Sequence, residues 1–288
     1  MMTITAKDIQ EVRARTGAGI TDCKNALMES SGDLDHAIEI LRKKGIAKAE
    51  KRSGRAASEG RIVNLFSNDR KTSVLLELNS ETDFVSRNDT FGAAAEELAQ
   101  SLLGHAALND VVRDPATDAF GQAVANDVKA ISAKTGENIV LRRYARFTTD
   151  GALGSYVHFN GKVAALVDVG GSSSDAAVSL AKSVAEHAAA GVPTVAVAVT
   201  REGVNADLVA RERRIFEEQA KATGKPDNII QKMVDGRISK FYEEVALVEQ
   251  PWVREPSRTI QSLVDEQGKA CGANLTIRRF VRFKMDED

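Results

Sequence analysis

A chain of 288 residues with 39 Lys plus Arg against 41 Asp plus Glu has a formal net charge of −2. Neither sign dominates at long range, which argues against a whole-protein electrostatic grip on nucleic acid or an anionic membrane and leaves only local patches. Hydrophobic residues at 43% and only five prolines exclude a disordered chain, and the length predicts about two domains.

Residues 1–55 read as a small helical module with a linker. Thr5 and Asp8 have capping-box spacing ahead of Ile9 and Val12, and Gly17 and Gly19 break the chain. Thr21 is placed to cap a second helix carrying Cys23, Ala26 and Leu27. Leu34, Ala37, Ile38 and Leu41 mark a third, with Gly45 after Lys43 and Lys44 as its expected end. Seven basic residues between Arg42 and Arg55 face one acid, Glu50, and read as a solvated helix end or as a phosphate contact. Ser53 and Gly54 mark an expected hinge. The N-terminal stretch Met1 to Gln10 lacks the apolar run of a signal peptide. Cys23 and Cys271 have no CxxC partner, so a reducing, cytoplasmic setting is expected.

From residue 56 the pattern turns α+β, with strands expected at Arg61 to Phe66, Ser73 to Leu78 and Asn138 to Phe147, and a helix through Phe91, Ala94, Leu98 and Leu102. The chain then repeats itself. The segment Gly136 to Phe147 returns as Gly272 to Phe283 with six of twelve positions identical, the Gly, the Asn, three Arg and the Phe. Gly60 to Val63 is matched with Gly154 to Val157, and Ser73 to Leu78 with Val163 to Val169. The core is therefore expected as two related halves, 56–148 and 149–288, each strand, strand, helix, strand. Counted from Gly60 to Phe147 and from Gly154 to Phe283, the second is the longer by 42 residues, 130 against 88, visible as two helical stripes at about 203–246. Leu208, Ile215 and Ala222 step by seven on one, Ile230, Met233, Val234, Ile238 and Phe241 line the other, and Thr223 to Asn228 is a turn. Two such helices make an antiparallel arm about 24 Å long. The most apolar run, Ala188 to Val199, is too short for the roughly 20 residues that cross a bilayer.

No catalytic pattern assembles. The three Gly-Lys pairs, at Lys162, Lys225 and Lys269, precede neither Ser nor Thr, so no phosphate-cradling loop is present. His36, His105, His158 and His187 are isolated and lack metal-ligand spacing. This favours a binding protein over an enzyme. Aromatics make up only 5% of the chain, which draws attention to the stretch from Asn79 to Thr90, where Phe84 and Val85 are the only apolar residues. A strand ends before this loop and a helix capped by Asn88 or Asp89 follows. Phe84 is either a loop anchor or a hot spot that enters a partner's pocket.

Arg15 to Gly19 with Asp22-Cys23-Lys24, Thr82-Asp83-Phe84-Val85, Gly154-Ser155-Tyr156 and Lys240-Phe241 together make the chain closely resemble the bacterial elongation factor Ts family. That resemblance implies a ubiquitin-associated-like three-helix module, a duplicated α+β core and an antiparallel coiled-coil insertion. It also implies a non-catalytic guanine nucleotide exchange factor of translation elongation, cytoplasmic, acting on the GDP-bound form of elongation factor Tu. Thr82, Asp83, Phe84 and Val85 would enter the partner's nucleotide-binding domain and dislodge its Mg²⁺, with Arg13, Ile20, Lys24 and His158 as further contacts. No cofactor, metal, DNA, membrane or small-molecule substrate of its own is expected. The competing reading is an RNA-binding, ribosome-associated translation protein that uses Arg42 to Arg55 and the pairs Arg142-Arg143 and Arg278-Arg279.

Overall fold

The computed structural model describes residues 4–287, so the part of the N-terminal reading that rests on Met1 to Thr3 lies outside the described residues. In chain order the elements are α1 (Ala6–Thr16), α2 (Ile20–Glu29), α3 (Leu34–Glu50), β1 (Glu59–Phe66), β2 (Thr72–Ser80), α4 (Asp83–Ser86), α5 (Asp89–Gly104), β3 (Val111–Val112), α6 (Ala119–Thr135), β4 (Val140–Thr148), β5 (Ala152–Val157), β6 (Val163–Gly170), α7 (Asp175–Ala190), α8 (Ala206–Lys221), α9 (Asp227–Val245), β7 (Pro251–Trp252), β8 (Glu255–Thr259), α10 (Ile260–Cys271) and β9 (Thr276–Lys284). Helix and strand mixed in this way make an α+β fold.

The first three helices share a core of Val12, Cys23, Ala26, Leu27, Ala37, Ile40 and Leu41. Thr5 and Asp8 form the capping box of α1, each side chain meeting the other's backbone N–H. Two local expectations fail here. Gly19, not Thr21, precedes α2, which has no side-chain cap. Gly45 does not end α3, which continues to Glu50. A Cβ on Gly45 would lie 2.9 Å from the Ala133 Cβ, so the glycine lets α3 and α6 approach closely. The linker is pinned as well: Asn138 Nδ2 donates to the Arg55 carbonyl at 2.7 Å, and Asn79 Nδ2 to the Ala57 carbonyl at 3.1 Å.

Two larger antiparallel sheets follow, ordered β1-β2-β4-β3 and β5-β6-β9, with a two-stranded one, β7-β8, beside the second half's last helix. Their buried residues alternate in the manner of a pleat filled on both faces. Val74, Leu76 and Leu78 of β2 face α5 and α6, where Phe91, Leu98, Phe120 and Ile131 meet them. In the second half α7 and α10 cover the matching face through Leu180, Val184, Ile260 and Leu263. The opposite faces meet in one shared cluster built from Ile62, Leu75, Ala145 and Phe147 of the first half and Leu153, Leu166, Val281 and Phe283 of the second. The result is a helix, sheet, sheet, helix stack whose middle layer is a contact between repeats.

The strand ladders place the repeat exactly where backbone pairing requires and change one expected match. Leu78 opposes Leu141 and Val169 opposes Ile277, each just past a bulge that follows Glu77 and Asp168. By the same registers Arg61, opposite Leu78, corresponds to Ala152, opposite Val169. The counterpart of Gly60 is thus Gly151 rather than Gly154: an added Cβ would meet the Leu78 carbonyl oxygen at 2.3 Å in one and the Val169 carbonyl oxygen at 2.1 Å in the other. Each half also contains a second helix, α6 or α10, absent from the expected pattern, and each of these ends at a left-handed glycine, Gly136 or Gly272.

The insertion forms two antiparallel helices, α8 and α9, that pack on each other. Ala220, Val234 and Ile238 are buried with Phe216, Ile230 and Met233 beside them, while Ala198, Val204 and Val245 close the base with Leu208, Val209 and Phe241. The α9 stripe is as expected. The α8 stripe holds only at Leu208: Ile215 is 39% exposed and Ala222, just past the helix, faces solvent, because the seam runs through Leu208, Val209, Phe216 and Ala220. Arg213 to Asp235 at 3.0 Å joins the two helices across their rim.

Candidate partner interface

Thr82 to Val85 follow directly on the end of β2, an interior strand of the first sheet. The expected polar loop contains a single helical turn, α4, capped by Thr82, whose hydroxyl oxygen accepts from the Val85 N–H at 3.4 Å. Asp83 lies in that first turn, where a carboxylate suits the helix dipole, and pairs with Arg87 at 3.1 Å. Val85 packs inward against the first-half core and Ser86 is buried, its hydroxyl donating to the Asp83 carbonyl at 3.1 Å. Phe84 points the other way and is 84% exposed. Asn88, one of the two expected caps, caps α5. A half-anchored turn therefore holds one aromatic ring in water, which costs about 1.5–3 kcal/mol relative to burial.

The base of the turn rests on residues that sequence reasoning missed. Thr82 donates its backbone N–H to Glu137 Oε2 at 3.0 Å and its hydroxyl to Glu137 Oε1 at 2.6 Å. Glu81 Oε1 in turn accepts from the Asn138 N–H at 2.6 Å and meets Arg55 at 3.4 Å. The only signal for Glu137 was its place inside the repeated segment, where the second copy has Ala273.

The other expected contacts lie elsewhere. Arg13 stands exposed in the last turn of α1, and Ile20 and Lys24 are exposed one turn apart on α2. His158 sits on the β5–β6 hairpin, its Nδ1 3.0 Å from the Tyr156 hydroxyl. Beside it Phe159 is 92% exposed, a second bare aromatic that the scarcity of such residues could have flagged. No hydrogen bond or ion pair among the described residues links these groups to Thr82–Val85.

The basic segments are largely committed to internal partners. Lys43 pairs with Glu39, Lys44 with Glu29 and Lys48 with Asp22, and Arg52 donates to the Ser132 carbonyl. Arg143 is buried against Glu77 at 2.7 Å, Arg278 pairs with Asp150, and Arg279 meets Asp168 at 3.1 Å. Burial pushes the Glu77 carboxyl above its ordinary range, with Arg143 pulling against it. Among the described residues no cluster of three or more His, Cys, Asp or Glu is placed to hold a metal, and no helix is long and apolar enough to cross a membrane.

The site is thus an exposed aromatic on a pinned turn of an α+β scaffold that also carries a self-packed helical arm. The sequence model of the family described as Elongation factor TS matches residues 81–287. Relatives named Elongation factor Ts include that of Trichlorobacter lovleyi, 40% identical over 99% of this chain and 94% of its own. That of Halothermothrix orenii is 39% identical over 99% and 93%, and that of Nitratidesulfovibrio vulgaris 41% over 100% and 97%. The chain belongs to the elongation factor Ts family, and its role lies in translation elongation.

Proposed function

We propose that the protein is a non-catalytic guanine nucleotide exchange factor that binds the GDP-bound form of elongation factor Tu and loosens its nucleotide by inserting Phe84. The single observation that carries this reading is the exposure of Phe84, 84%, on a turn whose base is fixed by Glu137 and Glu81. A ring carried on a fixed backbone enters a partner pocket at less entropic cost than one on a loose loop. Mg²⁺ demands near-octahedral geometry and bridges nucleotide phosphates, so a small displacement of its supports releases GDP. Asp83, beside the ring, offers a carboxylate to the groups being rearranged. Thr82 and Val85 hold the turn, and Arg13, Ile20, Lys24 and His158 supply further contact area.

Reciprocity completes the cycle. Whatever factor weakens GDP binding also weakens the complex when GDP returns, and GTP displaces the factor by the same linkage. The RNA-binding alternative is weakened where its arginines are turned inward: Arg143 is buried against Glu77 and Arg279 meets Asp168, while Lys44 and Lys48 of the Arg42–Arg55 run make surface pairs with Glu29 and Asp22. Phe84→Ala tests the reading against purified, GDP-loaded elongation factor Tu. Stimulated GDP release is expected to fall about 10- to 100-fold, the equivalent of one buried Phe, with the thermal midpoint unchanged. An unchanged release rate refutes the wedge.

A further inference from the structure

We infer that Glu137 is the positioning residue of the exchange turn: it sets the orientation of the Thr82 hydroxyl, and through that cap the aim of Phe84. The inference rests on the wedge reading for its functional consequence and on geometry alone for its structural one.

A four-residue helix has no stability of its own, since nucleation costs more than its one or two hydrogen bonds return. What keeps α4 folded is the burial of Val85 and Ser86 beneath it together with its cap. The Thr82 hydroxyl has one proton, and at 2.6 Å that proton belongs to Glu137 Oε1. With the proton directed there, an oxygen lone pair is left toward the Val85 N–H. The second carboxylate oxygen takes the Thr82 N–H at 3.0 Å, so Glu137 grips the cap residue at two points.

Glu137 is itself held. It follows the left-handed Gly136 that ends α6, and its carbonyl accepts from the Ser132 hydroxyl at 2.5 Å. Glu81 makes the reverse connection, from the turn to the Asn138 N–H at the entry of β4, so two carboxylates cross-link the turn and the strand entry in opposite senses.

The repeat provides an internal control. By the ladder registers Glu81 and Thr82 correspond to Ser172 and Ser173, and Glu137 to Ala273. The second half builds the same three antiparallel strands without either carboxylate, and there α7 starts directly from the Ser174 cap with no preceding helical turn. The sheet does not need these carboxylates; they occur in the half that carries the turn.

The test uses the full chain with Glu137→Ala and Glu137→Gln, reading amide hydrogen exchange of residues 82–86, the thermal midpoint, and GDP release from GDP-loaded elongation factor Tu against factor concentration. Glu137→Ala is expected to speed exchange at Thr82 and Val85 about tenfold or more, as losing a charge-assisted pair does. The maximal release rate should fall about tenfold while the half-saturating concentration shifts less, because the ring is still present but poorly aimed. Glu137→Gln, which keeps one acceptor for the hydroxyl, should recover part of both. Unchanged exchange at Thr82 and Val85 overturns the inference whatever the partner does. Release slowed by Phe84→Ala but not by Glu137→Ala overturns the positioning role and leaves the wedge standing. Release unaffected by Phe84→Ala refutes the wedge and with it the functional half of the inference, and exchange then decides the structural half. Should Glu137→Ala not fold, Thr82→Val against Thr82→Ser carries the same comparison, the serine expected to behave as wild type and an equal effect of both overturning the inference.

Discussion

The Arg143 guanidinium lies over the Phe283 ring, 4.7 Å from its centre, and the repeat returns the contact with Arg279 over Phe147 at 4.1 Å. Each arginine comes from one half and each ring from the other, so the halves grip each other as a two-fold dimer interface would, residue i on j and j on i. Each arginine also pairs with the acid opposite it on its own sheet, Arg143 with Glu77 and Arg279 with Asp168.

The two arginines are not expected to be equally costly to remove. Arg143 and Glu77 are both almost fully buried, whereas Arg279 is partly in contact with water. Arg143→Ala strands a buried carboxylate and the Lys284 carbonyl that accepted from Arg143 at 2.8 Å, and should destabilise the protein by about 3–5 kcal/mol. Arg279→Ala should cost less, because water reaches the vacated site. Urea unfolding of both variants measures the difference, and equal losses would contradict the assignment.

His187 makes stability depend on pH. Its Nδ1 accepts from the Val253 N–H at 3.2 Å, which places the ring proton on Nε2, facing Gln250 Oε1 at 2.9 Å. Burial lowers its pKa below the ordinary 6.5, with Gln250 acting weakly in the other direction. The unfolded chain therefore binds more protons just below pH 6.5, and stability falls as pH drops through that window. For one proton the slope is at most about 1.4 kcal/mol per pH unit. Denaturation of wild type and His187→Gln at pH 7 and pH 5.5 should show a drop in the first that is smaller in the second.

The arm's seam can be read by truncation. Ile238 is 5% exposed and buried between α8 and α9, so Ile238→Ala should cost about 2–4 kcal/mol of local stability. Ile215→Ala, on the solvent side of α8, should change stability by less than about 0.5 kcal/mol. Hydrogen exchange along α8 and α9 reports both, and the reverse order would restore the step-of-seven seam.

What was legible in the sequence was local or repetitive. The capping box at Thr5 and Asp8, the α9 stripe and the polar segment around Phe84 are set by neighbours within a few positions. The duplication shows because two strands facing the same layer keep the same arginines and phenylalanine. Resemblance of whole motifs carried the family. The seam of α8 is ambiguous in sequence because Ile215 and Phe216 are adjacent apolar residues, and only the opposing helix decides which one is covered. The Ala-rich α6 has buried residues on faces shared between a sheet and α3, so its stripe is blurred.

The rest depended on pairs far apart in the chain. Gly45 carries the marks of a helix end, yet Ala133 makes it a close-packing point inside a helix. Glu137 is one acid among 41 in the sequence and becomes the anchor of Thr82 only when β2 and β4 are laid side by side. The sequence by itself determined which segments form helices and strands where periodicity and caps are unambiguous, and that the core is doubled. The tertiary structure alone decided which charges are buried, which glycines are contacts and what holds Phe84 out. Burial and hydrogen-bond partnership belong to the space between elements, and no local pattern encodes the residue that will stand on the other side.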